Sequence, residues 1–321
     1  MKKLLFTLLA VLFIGVLAAC GGSSEDESAN ASTSGKDKEK TGNTSFPKTV
    51  KHEMGELTLD KKPSRIASVD IMITDYLLVL GETPIVSEGM GTKERSDVFA
   101  KYADGKDITD LGGKVNMETI VEKDPDVMLM SSDSKKTAKY DQFNKIADTA
   151  VIDFSGGVRS RLEQIADIVG KEDEAMKIIA DFDGKVAEAK QAASKHADET
   201  VLFLVSNGKD FTVMNPKDFP VYYEEIGLKP VKNLPTEEKG RIGIEALSEL
   251  NPDHIFIAEN RRKMNGDDRL GLIRVWQENP VWKSLNAVKS EHVYPVDTLV
   301  GDTFFLGQLA GVEAVIENLG K

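Results

Sequence analysis

Short runs of consecutive apolar residues alternate along this chain with longer stretches in which apolar positions recur every three or four residues. That alternation is expected of an α/β fold. Residues 65–69 (Arg-Ile-Ala-Ser-Val) read as a strand after Pro63, residues 72–80 carry the helical repeat and stop at Gly81, and residues 83–86 begin the next strand. Residues 127–130 and 255–258 are short buried strands, each announced by Pro-Asp, and residues 200–205 form a third such run. Between the two strand sets, residues 159–196 are rich in Ala, Glu, Lys, Asp and Ile. They predict a long, mostly helical segment with breaks near Gly170 and Gly184.

The pattern also repeats. Residues 113–130 match residues 240–257, with Gly113 and Gly240, Glu118 and Glu245, Glu122 and Glu249, Pro125 and Pro252, and Asp126 and Asp253 as identical pairs. Each copy is a glycine-containing loop, a short amphipathic helix and a Pro-Asp turn into a buried strand, a piece of a parallel or mixed sheet. The expected fold is therefore α/β, with two lobes of similar topology, each a central mostly parallel sheet flanked by helices.

The N-terminus adds a location. Lys2 and Lys3 precede an uncharged apolar run at residues 4–19 that closes with Leu17-Ala18-Ala19-Cys20. The run falls short of the roughly 20 apolar residues a membrane-spanning helix needs, and small residues sit where a signal peptidase cuts. Leu-Ala-Ala-Cys resembles the bacterial lipobox, which implies that Cys20 is diacylated and becomes the new N-terminus. Cys20 is the only cysteine among 321 residues and has no disulfide partner. The alternative is a simply secreted protein in which Cys20 is one more residue of the cleavage region. Residues 21–45 are polar and lack aromatic residues, the composition of a solvated tether. The expected parts are a signal peptide (1–19), a lipidated and disordered tether (20–45), an N-terminal lobe (46–157), a connecting helical segment (158–197) and a C-terminal lobe (198–321). With 40% hydrophobic and 29% charged residues the composition is globular, and the net charge of −12 argues against nucleic acid. A basic cleft for a small anion can coexist with such an acidic exterior.

Taken together, the lipobox at Cys20, Pro63-Ser64-Arg65-Ile66-Ala67-Ser68, the two Glu-x-x-x-x-x-x-Pro-Asp units, residues 279–289 (Asn-Pro-Val-Trp-Lys-Ser-Leu-Asn-Ala-Val-Lys) and residues 292–297 (His-Val-Tyr-Pro-Val-Asp) resemble the class III substrate-binding lipoproteins of ABC importers. That group delivers ferric siderophores, haem or cobalamin. The resemblance implies two lobes joined by one long helix, residues 159–196, around a cleft that closes only slightly on its ligand. It implies that Glu118 and Glu245 dock one lobe each onto a permease dimer served by an ATPase. The protein itself would be a monomer, anchored by lipid on the outer face of the membrane of a bacterium with a single membrane.

A ferric siderophore calls for basic donors in the cleft and for no cofactor or protein metal ligand, because the siderophore already surrounds its iron. Lys114 and Arg241 occupy equivalent places in the repeat. Arg261 and Arg262 follow the strand at residues 255–258, and Lys209 follows the strand at residues 200–205, at the ends where ligands bind in α/β sheets. Surface basic residues are more often solvated charges than ligand contacts. A haem or cobalamin receptor of the same class is the alternative, haem calling for an axial His, Met or Tyr and cobalamin for aromatic contacts more than for arginines. Tyr222 and Tyr223 read as a helix packing into the second lobe, Trp282 reads as core, and Trp276 is less easily placed. An exported lipid-anchored hydrolase is the alternative of a different class, and no Gly-x-Ser-x-Gly elbow or phosphate loop supports it. His52, His196, His254 and His292 form no local ligand spacing, so no metal site and no catalytic residue is expected.

Overall fold

The computed structural model describes residues 45–92, 96–113, 115–132, 135–234, 240–259 and 271–321, with the backbone alone at 271 and 272. A hairpin, β1 (Lys48–His52) against β2 (Gly55–Leu59), leads into the first sheet. There β3 (Ile66–Ser68), α1 (Ile71–Val79), β4 (Val86–Ser87), α2 (Asp97–Ala103), β5 (Thr109–Asp110), α3 (Met117–Glu122), β6 (Val127–Ser131), α4 (Tyr140–Phe143) and β7 (Thr149–Ile152) follow in turn. The strands lie in the order β5-β4-β3-β6-β7, and every pairing is parallel.

Helices α5 (Val158–Val169) and α6 (Glu172–Ala193) carry the chain to the second sheet. It is built from β8 (Thr200–Ser206), β9 (Phe211–Val213), β10 (Lys229–Pro230), β11 (Arg241–Ile242), α7 (Ile244–Leu250), β12 (His254–Glu259), α8 (Gly271–Gln277), α9 (Pro280–Ser284), α10 (Asn286–Lys289) and β13 (Val293–Pro295). The order is β11-β9-β8-β12-β13 with β10 also paired to β8; only β9 runs against its neighbours. Helix α11 (Phe305–Leu319) closes the fold.

Why the sheets stand where they do follows from the period-two alternation of their central strands. Val127 and Leu129 of β6 and Val201, Phe203 and Phe256 of β8 and β12 face one common apolar core. Met128 and Met130 face a second core belonging to the first sheet, while Leu202, Leu204, Ile255 and Ile257 face a third belonging to the other. Both faces of each sheet are covered, which is why these strands read as unbroken apolar runs. The common core is filled by α1, α5, α6 and α11, and Phe182 of α6 packs on Phe305 of α11 with ring centroids 5.3 Å apart. Burying a side chain of that size contributes about 2–3 kcal/mol.

The connecting segment differs from its expected form. Gly170 ends α5 in the left-handed region (φ 65°), but Gly184 lies inside α6, which runs 22 residues without a break. A glycine in a helix costs roughly 1 kcal/mol, and the buried stripe Ala175, Phe182, Val186, Ala189, Ala192 and Ala193 outweighs it. The strand expected at residues 83–86 is shifted: only Val86 and Ser87 pair with β3, and Pro84 has no N–H to give a ladder.

The two repeat units are built alike. Asp126 accepts hydrogen bonds from the Ser64 and Arg65 backbone N–H groups (2.9 and 3.0 Å) and from the Ser64 hydroxyl (3.0 Å), so it clamps the start of β3. Asp253 accepts from the Thr200 N–H and hydroxyl, both at 2.8 Å, and clamps the start of β8. The residue before each Pro-Asp, Asp124 and Asn251, takes a left-handed backbone (φ 45° and 40°) that ends its helix.

Candidate functional site

In open α/β sheets ligands bind beyond the carboxyl ends of the strands. Here those ends from the two sheets converge. Asp297, just past β13, accepts from Ser96 Oγ (2.8 Å) and from the Asp97 and Val98 N–H groups (3.0 and 3.3 Å), which open α2 beyond the end of β4. The same carboxylate accepts from Leu299 N–H (2.9 Å), while Thr298 Oγ1 donates to the Glu259 carbonyl at the end of β12 (2.9 Å). One aspartate thus joins the carboxyl edges of both sheets and forms the floor between the lobes.

On the N-terminal side the wall is polar and tightly bonded. Ser68, Ser87 and Ser131, the last residues of β3, β4 and β6, are all fully buried. Thr74 bridges Ser68 and Ser87 at 2.9 and 2.6 Å, and the Ser131 hydroxyl donates to Asp70, which caps α1. Lys136 donates to the Val69 carbonyl (2.6 Å) and pairs with Glu88. Burial lowers the Lys136 pKa, and the nearby Asp70 carboxylate partly offsets this. On the C-terminal side β8 also ends in a buried serine, Ser206, which receives the Trp276 indole N–H at 3.1 Å. Among the described residues two surface hollows, of 590 and 430 Å³, lie elsewhere on the C-terminal lobe. The first sits at the opposite strand edge by Thr200 and Asn251, the second beside Trp282 and Val293. Neither contains the residues of the floor.

The predicted basic residues divide. Lys209 is exposed in the turn between β8 and β9, its backbone N–H bonded to Asn207 Oδ1 (2.9 Å). Arg241 is exposed on β11, opposite Thr212 of β9 and one rung below the pair Ile242 and Phe211. Both therefore belong to the carboxyl edge of the second sheet. Lys114, Arg261, Arg262 and the lipidation residue Cys20 lie outside the described residues. Glu118 and Glu245 are both exposed in the first turns of α3 and α7. Because each of these helices returns toward the start of the next strand, its first turn lies on the carboxyl-edge side, where the cleft opens. Trp282 is core (3% exposed), and Trp276 is buried as well (7%). Tyr222 and Tyr223 sit in a wide single turn, residues 221–225, where Tyr222 stacks 4.6 Å from Phe203 and leaves no face for a ligand.

This architecture is matched by the family model described as periplasmic binding protein, which covers residues 66–298. The chain belongs to this family. Within it, the chain is 30% identical to the iron(3+)-hydroxamate-binding protein FhuD of Bacillus subtilis, over 93% of this chain and 91% of FhuD. It is 26% identical to the petrobactin-binding protein YclQ of the same organism, over 93% and 92%. Among solved structures, the triscatecholate siderophore-binding protein FeuA of Bacillus subtilis, complexed with ferri-bacillibactin, superposes with a TM-score of 0.69. The two share 25% identity over 85% of this chain and 98% of FeuA. Relatives of this family are thus named for binding and not for catalysis.

Sequence reasoning missed three features of this binding-protein fold. In the sequence Asp297 shows only as part of a motif, since nothing local reveals that it reaches α2 some 200 residues away in the chain. The half-buried Lys136 lies in no motif. The expectation that histidines and acids do not cluster also fails: His196, Glu199 and His254 place ligand-type atoms within 4.8 Å of one another. One signal was available. His254 stands where the first repeat has Val127, an apolar-to-polar change at the start of an otherwise apolar strand.

Proposed function

We propose that this chain is an exported, lipid-anchored receptor that binds a ferric siderophore between its lobes and delivers it to an ABC importer. The observation that carries this reading is the likeness, along 93% of the chain, to a protein named for binding iron(3+)-hydroxamate. The cleft supports it physically. A ferric siderophore arrives with its iron already surrounded, so the receptor recognises outer shape and charge, and charged donors serve better than metal ligands. Arg241 and Lys209 are exposed donors at the correct strand edge, with Lys114, Arg261 and Arg262 assigned to the same role. Because the lobes share one core, capture proceeds with slight closure. Cys20 holds the receptor, a monomer, at the outer membrane face, and Glu118 and Glu245 engage the permease dimer.

The test is a titration of the protein with ferric hydroxamate, catecholate and citrate-type siderophores, haem and cobalamin, followed by tryptophan emission. Trp276 reports the carboxyl edge of β8 directly. Submicromolar quenching by one ferric siderophore class is expected; a response to haem or cobalamin alone, or none, overturns the reading. Arg241→Ala and Lys209→Ala should each weaken the responding siderophore by about 1.5–3 kcal/mol, and unchanged affinity removes them from the site.

A further inference from the structure

Three of the four histidines gather at the opposite edge of the second sheet from the cleft. His196 ends the short turn after α6, Glu199 directly precedes β8, and His254 opens β12, in parallel register with Val201. His196 Nδ1 lies 2.5 Å and His254 Nε2 lies 2.7 Å from the same oxygen, Glu199 Oε2. Two nitrogens against one carboxylate oxygen are both donors, which fixes both ring tautomers. The third histidine, His292, stacks flat on His254 at 4.3 Å and donates from Nδ1 to the Asp253 carbonyl (3.3 Å), holding the His254 ring in place.

We propose that His196, Glu199 and His254 form a binding site for a borderline divalent transition-metal ion such as Zn²⁺ or Co²⁺, separate from the cleft. Two imidazoles and one carboxylate are the donor set such ions prefer, whereas Mg²⁺ and Ca²⁺ select oxygen. A tetrahedral ion with bonds of about 2.0 Å sets its ligand atoms about 3.3 Å apart. Each nitrogen-to-oxygen separation needs to widen by less than ~1 Å to admit it, and the two nitrogens already lie within 4.8 Å of each other. Glu199 is free to step back, because its side chain is 43% exposed while His254 is 1% exposed and fixed.

The surroundings already suit the metal-bound tautomer. Tyr294 OH lies 3.1 Å from His254 Nδ1. When Nε2 takes the metal, its proton is replaced by one on Nδ1, which donates to the tyrosine oxygen, so the ring stays neutral and no net proton is released. A ligating histidine held by a hydrogen bond from its other nitrogen is the arrangement that orients metal sites in general. His196 and Glu199 occupy the solvent side, leaving a fourth position open to water. The ion would tie the end of α6 to β12, the connecting helix to the sheet it feeds. The seven residues of β8 separate this edge from the cleft by roughly 20 Å, so cargo and ion do not compete.

The full chain, free of any affinity tag, is titrated with Co²⁺ while visible absorption is followed, and Zn²⁺ is then added in competition. We expect one equivalent of Co²⁺ with the intense bands of a low-coordinate site, displaced by Zn²⁺, and a raised Tm in Zn²⁺. His196→Ala and Glu199→Gln, both at the surface and outside the apolar core, should weaken binding by about a hundredfold and abolish the Tm shift. Tyr294→Phe should weaken it by about tenfold. Absence of the bands, or binding that survives both surface substitutions, overturns the proposal. Siderophore titration of the same variants reads the cleft independently, so failure of either idea leaves the other standing.

Discussion

The two repeat units, residues 113–130 and 240–257, use one scaffold and finish it differently. Both place a left-handed residue before Pro-Asp, and both clamp the first strand of their sheet with the aspartate. They bury Ile120 and Leu247 at equivalent places and expose a glutamate in the first helical turn. They part at the helix start, where α3 is capped by Asn116 and α7 by Gly243 without a side-chain bond. They part again at the strand start, where Val127 faces the common core and His254 enters a polar cluster. Residues shared by the copies belong to the frame, and residues that differ mark what one lobe does alone.

The largest expected effect tests the shared glutamates. Charge reversal of both, Glu118→Lys with Glu245→Lys, should abolish uptake of the siderophore in cells while its affinity for the purified protein is unchanged. Equal loss of affinity would show that the pair serves the cleft and not a docking face. Next come the clamps. Asp126→Ala and Asp253→Ala each remove two or more charge-assisted bonds to the backbone and should each destabilise by about 2–3 kcal/mol in urea unfolding. Markedly unequal losses would break the structural equivalence.

Unlike the clamps, which hold one sheet each, a carboxylate on α1 joins the first lobe to the closing helix α11. Asp75 of α1 is fully buried and accepts from the Phe305 and Leu306 N–H groups at the start of α11 (2.7 and 3.4 Å). Burial pushes its pKa from 3.8 up to about 8, with the two backbone bonds pulling in the other direction. The folded state therefore holds a proton that the unfolded chain releases. The contribution is full below pH 3.8 and is lost as pH rises through about 8. In Asp75→Asn, which cannot titrate, this fall is absent, so the advantage of the wild type over the variant should shrink as pH rises from 3.8 to about 8, as read from Tm against pH. The smallest effect converts one copy into the other. Asn116→Ala should cost about 1 kcal/mol, and Gly243→Asn should gain a few tenths, since a Cβ there meets only the movable Glu245 carboxylate, at 3.3 Å.

Much of this frame is legible in the chain because it is written locally. Buried strand runs, the Gly81 stop after α1 and both Pro-Asp turns are read within a few residues, and each is where the pattern places it. The misplaced features depend on distant partners. Gly184 looks like a break until the apolar stripe of α6 meets α11, and Thr83 looks like a strand start until the ladder with β3 is counted. The site is less legible still. Glu118 and Glu245 stand out because they repeat, but Asp297 and Lys136 gain meaning only from residues far away in sequence. The His196, Glu199 and His254 cluster exists only because β8 and β12 pair in parallel across more than fifty intervening residues.

The common core between the sheets carries a thermodynamic consequence. Neither half retains a complete apolar interior without the other, so melting one exposes the inner face of its neighbour. The described body should unfold in a single cooperative calorimetric transition, with agreement between calorimetric and van't Hoff enthalpies. A cargo molecule held between the halves then raises the melting temperature of the whole body by mass action. A thermal-shift measurement would sense occupancy of the cleft from any point in the structure.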